Sequence, residues 1–70
     1  MCVVEELADN LAKDAIELAN KLGNDDVIHE TAKVLMATSS TMEEAYMASI
    51  RVRLAERRAR RFLKEKAQGT

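Results

Sequence analysis

The sequence has no proline and no tryptophan, and among its 70 residues only two glycines, one cysteine, one tyrosine and one phenylalanine. Each shortage excludes something. With no proline, and glycine only at positions 23 and 69, the strongest helix breakers fall only near residue 23 and at the end. One cysteine, Cys2, forms no internal disulfide framework and fits a reducing compartment, though it could bridge two copies of the chain. With only Tyr46 and Phe62 as aromatic residues, the core must come from Leu, Val, Ile, Met and Ala. The many alanines let helices approach closely, which favours helix-on-helix packing.

No apolar run reaches the roughly 20 residues that cross a bilayer. Glu5 and Glu6 are unlike the basic start of a signal peptide, so the expected location is the cytoplasm, with no membrane contact. The chain is short enough that a solitary core would be marginal. We therefore expect one domain that a second copy completes.

The net charge is −1, but its distribution is uneven. Residues 1–44 carry ten acidic and three basic side chains, and residues 45–70 carry two acidic and eight basic ones, which gives −7 and +6. All six arginines lie between Arg51 and Arg61. The chain is a strong charge dipole.

Apolar positions at Val4, Ala8, Leu11, Ala15, Leu18 and Leu22 alternate steps of four and three, a helical seam over about residues 3–22. Gly23 then marks a left-handed helix end, and Asn24 or Asp25 can cap a second helix over about 26–37. The run Thr38, Ser39, Ser40, Thr41 separates it from a third helix over about 42–66, with Ser40 or Thr41 as N-cap and Glu43 or Glu44 closing a capping box. The expected fold is all-α: a long-short-long three-helix bundle completed by homodimerisation, with antiparallel neighbours across short turns.

At about 100° per residue, Ala45, Ala48, Val52, Ala55, Ala59, Phe62 and Leu63 share one face of the third helix. Tyr46, Met47, Ile50 and Leu54 fall on the opposite side. The alanine-rich face is expected to pack inward. The Tyr46 face is then expected to be the apolar centre of a partner-binding surface. Arg53, Arg57, Arg60, Arg61 and Lys64 form a basic stripe that continues it. Arginine suits bidentate contact with carboxylates or phosphates.

No chemistry-bearing motif is complete. His29 with Glu30 opens like the zinc-protease helix, but Lys33 stands where the second histidine is required. Asn24, Asp25 and Asp26 lack calcium-loop spacing, and the serines at 39, 40 and 49 with one histidine make no triad. We expect no enzyme, cofactor, metal or small-molecule substrate. The expected function is a homodimeric protein-interaction module, a regulator or inhibitor that docks on another protein through the third helix. The second choice is a nucleic-acid-binding protein that uses the arginine stripe. Against it stand the low net charge, the scarcity of rings and the absence of any recognition motif.

Overall fold

The computed structural model describes residues 2–69. They form three helices, α1 Val3–Leu22, α2 Asp26–Thr38 and α3 Ser40–Gly69, of 20, 13 and 30 residues, with no strand among the described residues. At about 1.5 Å per residue, α3 is about 45 Å long and outreaches α1 by about 15 Å. All three helices touch one another, and α3 packs most extensively on α1.

Local chemistry sets the boundaries. Gly23 takes φ 76°, the left-handed conformation expected of it, and its N–H donates to the Ala19 carbonyl at 2.9 Å. The Asn24 side chain then accepts from the Asp26 N–H at 3.0 Å, satisfying one of the free donors at the start of α2. The junction of α2 and α3 is tighter than expected. Ser39 ends α2 by donating its N–H to the Leu35 carbonyl, and its hydroxyl accepts from the Met42 N–H at 3.2 Å. One residue thus serves both helices, and α3 begins at Ser40 with Ser39 as its cap, where Ser40 or Thr41 was expected.

Packing is where expectation and structure differ most. The core holds Ala8, Ala12, Ala15, Ile16 and Ala19 from α1, Ile28 from α2, and Tyr46 and Ile50 from α3. On α1 the buried arc is therefore mostly alanine. Leu11, Leu18 and Leu22, expected in the seam, lie outside with Val3 and Leu7. On α3 the faces are exchanged: Tyr46 and Ile50 point inward, whereas Val52, Phe62 and Leu63 are 68%, 56% and 65% exposed. Size complementarity explains the exchange. A helix face of alanines leaves room that large side chains on the facing helix fill.

The result is a thin, elongated molecule of 49 × 30 × 13 Å. Its radius of gyration is 14.1 Å, against about 11 Å for a compact chain of this length. It exposes 5402 Å² of surface, about 1,000 Å² more than the roughly 4,400 Å² typical of a 7.8 kDa monomer.

Candidate functional site

The residues expected to bind a partner separate into three environments. Tyr46 is fully buried, and its hydroxyl donates to the Ile28 carbonyl at 2.9 Å. Burial pushes the phenol above its ordinary range. Ile50 is buried beside it, and Met47 and Leu54 are half-buried against the same core. This corrects the reading of that face as outward: Tyr46 and Ile50 have no surface to offer a partner.

Arg53 also turns inward. Its Nε donates to Asp9 Oδ1 at 2.8 Å and its Nη2 to Asp9 Oδ2 at 2.7 Å, a two-pronged pair joining α3 to α1. The planar guanidinium matches a carboxylate in a way lysine cannot. Hydrogen bonds from Arg53 hold the Asp9 carboxyl below its ordinary value, helped by Ser49 and Lys13. Sequence reasoning missed Asp9. Its signal was faint: an acidic residue beside an apolar arc, at a height that only the packing of α1 on α3 reveals.

The sign of the Asp9 effect sets a prediction. Its folded-state value is depressed, so the stabilisation is present above the unfolded carboxyl value and lost as pH falls through the folded one. Asp9→Asn is therefore expected to lower the thermal midpoint at neutral pH and to reduce the further fall on acidification between about pH 5 and pH 2. Melts of both proteins across that range check this. Superimposed curves would show that the pair contributes nothing.

The rest of the basic stripe is exposed. With its amide presenting oxygen, Asn20 accepts from Arg57 Nη1 and Nη2 at 3.0 and 2.8 Å. Arg60 Nε donates to Glu56 Oε2 at 2.7 Å, one turn away on the same helix. Asn20, Arg57, Arg60, Arg61 and Lys64 line an open groove of about 490 Å³ where α1 ends and α3 continues. Beyond it the Lys66 ammonium lies 5.7 Å from the centroid of the Phe62 ring. Every residue from Ala55 to Gly69 is exposed. Residues 58–69 carry five cations and one anion, Glu65.

A second groove, of about 460 Å³, lies at the opposite end of the α1–α3 contact. Ala45, Ala48, Ser49 and Val52 form its α3 wall, and Glu5, Glu6, Asp9 and Asn10 its α1 wall. The site is thus bipolar, with an acidic-rimmed apolar groove near the start of α3 and a basic groove near its end. Among the described residues, no group of three or more His, Cys, Asp or Glu side chains is placed to hold a metal ion. Among the described residues, no helix is long and apolar enough to cross a membrane. Cys2 and His29 are both exposed.

No known protein family, curated protein or solved structure matches this chain. The bipolar surface is therefore what any functional reading has to explain.

Proposed function

We propose that this chain is a small helical protein-interaction module that works as a homodimer, a regulator or inhibitor that docks on another protein. The observation that carries the reading is the imbalance between inside and outside. Among the described residues, eight are buried, four of them alanines, while ten large apolar side chains are exposed. Apolar side chains exposed in groups on one helix face usually mark an interaction site. The surplus of about 1,000 Å² is close to the roughly 800 Å² that each partner gives to an ordinary protein interface.

Two apolar faces are available. One is the arc of Leu7, Leu11, Leu18 and Leu22 on α1, and the other is the outer face of α3. One pairs the two copies. The other, with the basic groove of Arg57, Arg60, Arg61 and Lys64, meets an acidic partner surface. Charge complementarity there sets partner choice and encounter rate more than affinity.

Light scattering across a concentration series is expected to give twice the 7.8 kDa chain mass at the upper end. A constant monomer mass would sink the homodimer.

The basic groove also suits a phosphate backbone, which supports nucleic-acid binding as the second reading. That reading requires log affinity to fall linearly with log salt. No binding to DNA or RNA at low salt removes it.

A further inference from the structure

The outer face of α3 has a repeat that its own fold uses only at its first member, Ala45. Ala45, Ala48, Val52, Ala55, Ala59 and Phe62 follow one another at steps of three, four, three, four and three, the spacing of a coiled-coil seam. From Ala48 onward these residues are exposed, and Leu63 stands beside them at 65% exposure. The seam is not a uniform stripe of small residues. Alanines occupy its middle, and Val52 and Phe62 flank them.

We infer, resting on the homodimer proposed for this chain, that the occupant of this seam is α3 of a second copy, running antiparallel across a two-fold axis. In that register Ala55 faces Ala59 of the second copy, Val52 faces its Phe62, and Ala48 faces its Lys66. Small residues meet at the axis, where the backbones come closest, and large ones fill the space on either side.

Three further features fit this register. On the flank away from α1, Arg51 meets Glu65 of the second copy, and symmetry repeats the pair. On the flank toward α1, Leu63 of the second copy comes down over Ser49, into the groove walled by Ala45, Ala48 and Val52. Lys66 of the second copy then reaches the rim formed by Glu5 and Glu6. The projecting end of each α3, basic and exposed in a single copy, thus fills the acidic-rimmed groove of the other.

A parallel pairing does the reverse. It sets the two basic ends side by side, five cations and one anion on each, with no acidic wall within reach. The antiparallel register also contains opposing contacts. Arg58 faces its own symmetry mate on one flank, and Glu56 faces its mate on the other. Glu56 is already paired with Arg60 one turn away, which moderates the second. Both contacts are exposed at the rim, where ionic interactions are weak.

The test combines one substitution and one cross-link, with light scattering and circular dichroism. Ala55 is exposed in the single chain and glutamate is a good helix former, so Ala55→Glu should keep the fold. An unpaired carboxylate near the axis is expected to weaken self-association by at least about 100-fold. In a Cys2→Ser background, mixing Ala55→Cys with Ala59→Cys is expected to give an interchain disulfide between positions 55 and 59, whereas Ala55→Cys alone gives none. A dimer that persists in Ala55→Glu and forms no such disulfide would overturn this seam while leaving the homodimer intact. A disulfide between two copies of residue 55 would overturn the antiparallel register. A wild-type chain that is monomeric at every concentration would overturn both.

Discussion

Replacing Tyr46 with alanine is expected to bring the chain to the edge of unfolding. Tyr46 is the largest side chain that is fully buried, and it belongs to one cluster with the α1 alanines and with Ile28. Removing a buried ring costs about 3–5 kcal/mol, because the cavity left behind collapses only partly. A domain of this length has a total stability of about 4–10 kcal/mol. The loss is therefore comparable to the whole.

Tyr46→Phe isolates the hydroxyl. It removes the hydrogen bond to the Ile28 carbonyl and keeps the ring, for an expected cost of about 1 kcal/mol. Urea denaturation followed by circular dichroism, at concentrations low enough to limit self-association, measures both. A Tyr46→Ala midpoint close to that of the wild type would mean that the ring does not hold the three helices together.

The same residue shows what could be read in the sequence and what could not. Helix number, order and approximate ends were legible because they depend on local chemistry: Gly23 can take positive φ, Asn24 can cap, and no proline interrupts the rest. The α2–α3 junction was drawn too wide, over Thr38 to Thr41 rather than at Ser39 alone, because these are four successive residues capable of capping. Only the fold selects Ser39 among them.

Which face turns inward was not legible. On α1 the apolar arc runs from Val3 round to Ile16, more than half the circumference, and periodicity alone cannot say which half is covered. On α3 there are two opposite apolar faces, and periodicity alone does not say which of them is covered. The physical rule that decides is pairwise: a row of alanines on one helix calls for large residues opposite, and a buried phenol is tolerated where a backbone carbonyl accepts its proton. Tyr46 meets both conditions.

The arginine stripe was legible as a cluster but not as a set of roles. Arg53 differs from Arg57, Arg60 and Arg61 only because Asp9 lies opposite it. That partner is 44 residues away in the chain. No local pattern marks it.

The second large effect concerns the alanines themselves. Ala12 is fully buried, so Ala12→Leu is expected to destabilise the fold by about 1–3 kcal/mol despite adding apolar surface. The extra carbons have nowhere to go unless α1 moves off Tyr46 and Ile50. Leu18→Ala, on the same helix, is expected to cost less than about 1 kcal/mol, since Leu18 is already 44% exposed and alanine favours the helix. A reading from hydrophobicity alone ranks these two substitutions the other way. Denaturation midpoints of both variants at low protein concentration decide between them. The leucine result carries a second meaning when the melts are repeated at high concentration. If Leu18→Ala then costs the 2–5 kcal/mol of a core leucine, the α1 arc is covered by the second copy and the α3 seam is left to another partner. If its cost stays small while Ala55→Glu abolishes the concentration dependence, α3 pairs the two copies and the leucine arc is left free for the partner.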